Sequence, residues 1–130
     1  MKEEINKWIK FSEEDLRMAE LALKEKIYNQ VCFHSQQCIE KALKGFINSK
    51  EQVCPKTHKL ADLLSYLSPS PFDYLTDIII PLDRFYIPTR YPDALPGTLP
   101  EGLPVEKDVK EAIEVARLVL EKAEKETKIK

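Results

Sequence analysis

All nine prolines of this 130-residue chain fall between Pro55 and Pro104, so residues 1–54 and 105–130 contain none. Proline removes a backbone donor and clashes with the preceding helical turn, so it ends or kinks a helix. The two proline-free stretches can therefore form long helices, with irregular chain confined to the middle. Glycine points the same way: only three are present, against roughly nine expected at an average usage of about 7%. Sandwiches and barrels, which depend on many tight turns, are poorly served by so little glycine. A glycine-rich phosphate loop is excluded, because Gly45, Gly97 and Gly102 are too widely spread to build one.

Hydrophobic periodicity fills in the helices. Ile5, Trp8, Ile9, Ser12, Leu16, Ala19 and Leu23 recur at three- and four-residue spacing, which predicts a first helix from near Glu3 to about Lys26. The run Ser12-Glu13-Glu14-Asp15 can also cap a fresh start, giving a break near Phe11 as an alternative. Tyr28-Asn29-Gln30 looks like a short connection, and a second helix from about Tyr28 to Ser49 presents Val31, Ser35, Cys38, Ile39, Ala42, Leu43 and Phe46 on one face. Phe33 falls on the far side, beside Gln36 and Glu40, as a lone exposed ring or a subunit contact. Thr57 is the expected N-cap of a short helix from His58 to Leu67, and Asp73 of a fourth helix reaching Tyr86, kinked at Pro81. The run Asp77-Ile78-Ile79-Ile80 would also suit a short strand, but the flanking period favours helix. Residues 87–104 hold five prolines and two glycines and read as a long loop, a length that loops of functional importance often have. A last helix from Val105 to about Lys128 buries Val109, Ala112, Ile113, Ala116, Val119, Leu120 and Ala123. The expected fold is all-α: one domain over residues 1–130, an up-and-down antiparallel bundle of four to five helices with a long proline-rich loop before the last.

Charge narrows the partners. Twenty basic and twenty-two acidic residues leave a net charge of −2 and a pI near 5.8, so polyanion binding would need a local basic cluster. No run approaches the ~20 apolar residues that span a bilayer, and the first residues do not read as a signal peptide. A cytoplasmic protein is expected, and the excess of Lys and Glu over Asn and Gln hints at a thermophilic source. Cys32, Cys38 and Cys54 are odd in number. Cys32 and Cys38 would lie about 120° apart around one helix and roughly 9 Å along it, too far to bridge. Reduced, mostly buried thiols follow. With no C-x-x-C pair and two distant histidines, no metal site and no cofactor are expected.

Two groups of side chains can carry chemistry. His34, Gln37 and Lys41 stack on the shoulder of the second helix and offer an imidazole, an amide and a cation to a phosphate or base. Their structural alternative is hydrogen bonding to a neighbouring chain segment and pairing with a carboxylate. Arg84 and Arg90, two of only four arginines, lie where the fourth helix enters the loop. The arginine fork reads phosphate in bidentate fashion, and Tyr91 can stack on a base. Their alternative is an Arg–Asp pair through Asp83 or Asp93 that holds the loop against the bundle. His58, beside a cap residue, reads as an end-capping or loop-pinning group.

The segments Phe33-His34-Ser35-Gln36-Gln37-Cys38-Ile39-Glu40-Lys41-Ala42-Leu43-Lys44, His58-Lys59-Leu60 and Tyr86-Ile87-Pro88-Thr89-Arg90-Tyr91-Pro92-Asp93 resemble, in order, the HEPN domain family. The initials stand for higher eukaryotes and prokaryotes nucleotide-binding, and Trp8 with Asp15-Leu16-x-x-Ala19 also fits. The resemblance implies a helical bundle, frequent homodimers, and a minimal nucleotidyltransferase as partner in a toxin–antitoxin pair. It also implies either metal-independent ribonuclease activity or noncatalytic binding of nucleotide or RNA. Catalytic members carry an arginine followed, after four to six residues, by a histidine. Here Arg90 meets Leu95, Pro96 and Gly97 at that distance, and Arg84 meets Thr89, Arg90 and Tyr91. The expectation is a noncatalytic nucleotide- or RNA-binding module, a homodimer burying the Phe33 face, using His34, Gln37, Lys41, Arg84, Arg90 and Tyr91. The alternatives are a ribonuclease with a rearranged His34/Arg90 site and a ligand-free interaction scaffold.

Overall fold

The computed structural model describes residues 2–86, 96–99 and 102–128. It is an all-α bundle of α1 (Lys2–Lys24), α2 (Tyr28–Ser49), α3 (Leu60–Leu67), a single-turn α4 (Thr76–Ile79) and α5 (Glu106–Thr127). Two 3₁₀ segments, Asp73–Leu75 and Ile80–Phe85, flank α4. A connection this short between α1 and α2, turned by Lys26 at φ 59°, folds them into an antiparallel hairpin. α2 is the central element, packed against α1, α5, α3 and the second 3₁₀ segment. None of the described helices is long and apolar enough to cross a membrane.

The stripes read from the sequence face inward. Val31, Cys38, Ile39, Ala42, Leu43 and Phe46 of α2 are buried against Val109, Ala112, Ala116, Val119 and Ala123 of α5 and Ala19 of α1. Phe46 meets Phe72 edge to face, with centroids 5.1 Å apart. Close approach of α1 to α2 depends on Gly45, where an added Cβ would lie 3.1 Å from Cδ1 of Ile9.

The first helix follows its main reading and not the alternative break, while two other expected details differ. α1 runs through Phe11 without a break, because Ser12 and Asp15 do not turn back to their own backbone. Both are buried, and Ser12 Oγ donates to the Cys38 carbonyl at 2.7 Å across the hairpin. α3 starts at Leu60 rather than His58, and Thr57 is not its cap. The Asp83 carboxylate caps it instead, accepting from the Leu60 and Ala61 amides at 2.7 and 3.1 Å. The fourth helix is not one element: the chain passes from α to 3₁₀ geometry at Ile80–Pro81, where proline cannot donate back to the preceding turn. Asp73 bonds back to Ser70 rather than capping forward. No strand forms at residues 77–80.

Part of the long loop is firmly seated. The Gly97 amide donates to the Phe85 carbonyl at 3.2 Å, and Asn29 Nδ2 donates to the Pro96 carbonyl at 3.0 Å. Gly97 has φ +79°, and a Cβ there would fall 1.8 Å from the Asn29 carbonyl oxygen, so only glycine fits.

Asp83→Ala leaves two helix N-terminal amides without their acceptor. It should lower the unfolding free energy by about 1–3 kcal/mol in a urea titration, with m unchanged. A second test concerns Glu124 of α5, whose carboxyl is raised from 4.5 to about 7 by desolvation, by a hydrogen bond with Glu13 of α1, and by repulsion from Glu13 and Glu121. A carboxyl that binds its proton more tightly folded than unfolded favours folding below the ordinary carboxylate range, and that contribution is lost as pH rises through about 7. Glu124→Gln should therefore raise Tm at pH 8 and match the wild type near pH 4.

Candidate functional site

At about 100° per residue, Gln36, Glu40 and Lys44 form one line along α2, with Gln37, Lys41 and His34 beside it. The stripe is not a solvated face. Gln36, Glu40 and Lys44 are buried, and Phe33, expected as an exposed ring or subunit contact, is half-buried, edge-on to His34 at 5.3 Å. Buried polar groups on a helix demand partners, and two carboxylates supply them.

The first is Asp15 of α1, whose side chain is 8% exposed. One oxygen meets His34 Nδ1 at 2.8 Å, and the other accepts from Lys41 Nζ. His34 and Lys41 are thus brought together, but across a counter-charge that offsets them. Beside His34 lies a mostly apolar depression of about 230 Å³, bordered by Met18, Leu21, Ala22, Ile27 and Gln30, with Glu25 as its one carboxylate.

The second is Glu40, 4% exposed, which accepts from Lys44 Nζ at 2.9 Å and contacts His58 Nδ1 at 3.2 Å with the same oxygen. Its other oxygen lies 3.4 Å from Gln37 Nε2, which donates more closely, at 2.7 Å, to Gln36. Gln36 in turn donates to the His58 carbonyl at 3.0 Å. The His58 ring is more than half exposed and stacks on Tyr86 with centroids 5.2 Å apart and planes 19° from parallel. Lys44 Nζ also sits 5.4 Å from the centre of the Trp8 ring.

Each carboxylate holds a histidine by Nδ1, which turns Nε2 away from the pair. Such an arrangement fixes the orientation of each ring and leaves Nε2 as its outward nitrogen. Thiol chemistry has no support: burial drives the Cys32 and Cys38 thiols up to about 12 and raises that of Cys54. Among the described residues, no group of three His, Cys, Asp or Glu is arranged to hold a metal ion.

The expected site residues divide. His34, Gln37 and Lys41 share the α2 stripe, although Gln37 belongs to the Glu40 cluster and not to that of Asp15. Arg84 lies elsewhere: its guanidinium donates to Asp108 of α5 at 3.1 Å and covers the Phe85 ring. Among the described residues its carboxylate partner is Asp108 and not Asp83, which caps α3; Asp93, like Arg90 and Tyr91, lies outside the described residues. The Glu40 cluster was missed from the sequence. Its available signal was the i, i+4 series Gln36, Glu40 and Lys44, which reads equally well as a solvated stripe.

Asp15→Asn withdraws the charge that offsets Lys41 and His34 at that cluster. The partial exposure of Lys41 and His34 should keep the loss of stability below the ~3–5 kcal/mol typical of breaking a fully buried pair. Lys41→Met in the same background should recover part of it, a coupling measurable by a double-mutant cycle in denaturant.

The profile of the HEPN domain family matches residues 5–126. The chain is similar to the crystal structure of ST0689, an archaeal HEPN homologue, at 34% identity and a TM-score of 0.75, covering 95% of this chain and 98% of that one. It is also similar to TT1696 from Thermus thermophilus, at 33% identity and a TM-score of 0.75, covering 94% and 97%. Among proteins of curated function, none matches.

Proposed function

Because the chain belongs to the HEPN domain family, we propose that it is a noncatalytic module that binds a nucleotide or short RNA along the α2 stripe. The observation that carries this reading is the apolar depression of about 230 Å³ beside His34, with Lys41 held on the same aspartate. A base fits the apolar surface while a phosphate exchanges for Asp15 at Lys41 and the His34 ring. The His58–Tyr86 stack offers a second aromatic surface. Arg90 and Tyr91, read from the sequence alone, would add a planar fork and a further ring. Binding is weak, because any phosphate competes with a carboxylate already in position. The noncatalytic reading rests on the sequence, which has no histidine four to six residues beyond Arg84 or Arg90. The module works as a homodimer and with a small nucleotidyltransferase-class partner in a toxin–antitoxin pair, a pairing that follows from the family resemblance.

The two carboxylate–histidine pairs favour one second reading, a metal-independent ribonuclease with a rearranged site. One set of measurements separates the readings. Calorimetric titration with ATP and with a single-stranded RNA oligomer should give millimolar to high-micromolar affinity that falls with added salt. Leu21→Glu puts a like charge in the depression at an exposed position, and should weaken binding about tenfold or more with Tm nearly unchanged. Arg90→Ala should cost more affinity than Lys41→Ala. No binding at millimolar ligand would leave an interaction scaffold. RNA cleavage in the presence of chelator, lost in His34→Ala or His58→Ala, would make the protein an enzyme.

A further inference from the structure

A groove with an acidic rim lies away from the α2 stripe. It runs between the segment Thr76–Phe85 and α5 and has a volume of about 370 Å³. Its floor is apolar and buried, built from Leu82, Phe85, Ala112 and Val115, while Ile78 and Leu118 stand on its lips 43% and 42% exposed. Around this floor are Asp77, Asp108, Glu111 and Glu114, with Arg84 as the one cation among the described lining residues, already bonded to Asp108. Four carboxylates against one guanidinium exceed in negative charge the −2 of the entire chain. An apolar trough with that rim has a definite complement.

We propose that this groove is a docking site for an amphipathic helix of a partner protein, apolar on one face and bearing Lys or Arg along the edges of that face. Size and walls favour a helix: the trough is bounded by helical segments, and anchors at i, i+3 or i+4 and i+7 can fill such a groove. Charge selects the rest. A second copy of this chain applying the same groove through a two-fold axis would set four carboxylates against four, which disfavours self-association here. A basic edge instead meets Glu111 and Glu114, both exposed on α5, and speeds encounter through attraction. Among the described residues, the site shares no lining residue with the α2 stripe.

The test uses the whole chain and two synthetic 15-residue peptides of one helical pattern, leucine on the apolar face with either lysine or glutamate elsewhere. In amide NMR titrations the Leu/Lys peptide should shift Ile78, Leu82, Val115 and Leu118, and the Leu/Glu peptide should leave them unmoved. Affinity for the Leu/Lys peptide should fall about tenfold or more in Glu111→Lys/Glu114→Lys and in Leu118→Ser. Phe11→Ser, an exposed apolar position outside both the groove and the depression, should bind like the wild type. The proposal is overturned if the shifts cluster at Met18 and Leu21, if the charge-reversed variant binds equally well, or if no groove residue shifts at millimolar peptide. It is also overturned if the same residues shift with protein concentration alone, since the occupant would then be a second copy.

Discussion

α2 is enclosed by other elements over most of its surface, so its buried charged side chains depend on partners within the protein. That constraint explains the two carboxylates. Asp15 reaches in from α1 to answer His34 and Lys41, and Glu40 answers Lys44 and the incoming His58 from within the stripe. Leaving either carboxylate unpaired in so little water would cost several kcal/mol in each case, by the usual magnitude for buried ions. The arrangement therefore does mechanical service before any ligand arrives. It sets the register of α1 on α2 at Asp15, and it holds the chain entering α3 against α2 at His58.

The middle of the chain is organised by the same economy of donors and acceptors. Eight residues of α3 are too few to be stable alone. They are secured by Asp83, which lies beyond α4 in sequence yet accepts from the first two α3 amides. The next residue, Arg84, turns to Asp108, and Asp108 also accepts from the Val105 amide at the start of α5. Two adjacent residues of one 3₁₀ segment thus tie the starts of two helices together. The groove beside them exists because that segment departs from α geometry at Pro81 and leaves Ile78 and Leu118 incompletely covered.

A binding surface whose cations are already paired behaves differently from an open basic patch. An incoming phosphate must exchange with Asp15 or share its cations, so the gain is the difference between two ion pairs and not the whole of one. Such a surface favours ligands that also bury apolar area, which is what the depression beside His34 provides. The carboxylates of the α5 groove lie elsewhere, so the proposed phosphate-binding and helix-docking surfaces share no lining residue among those described.

Helices α1, α2 and α5 were legible in the sequence because their apolar period and freedom from proline are local properties, and local properties need no knowledge of neighbours. The same holds for the shared shoulder of His34, Gln37 and Lys41, which is a matter of 3.6 residues per turn. Partner choice was not legible. Nothing in the local sequence says that Asp15 faces α2 instead of capping its own helix, that Asp83 rather than Thr57 caps α3, or that Arg84 bonds Asp108 on α5. Each of these bonds joins residues separated by 19 or more positions. Periodicity establishes which way a side chain points from its own axis, whereas the packing of the axes decides what it meets.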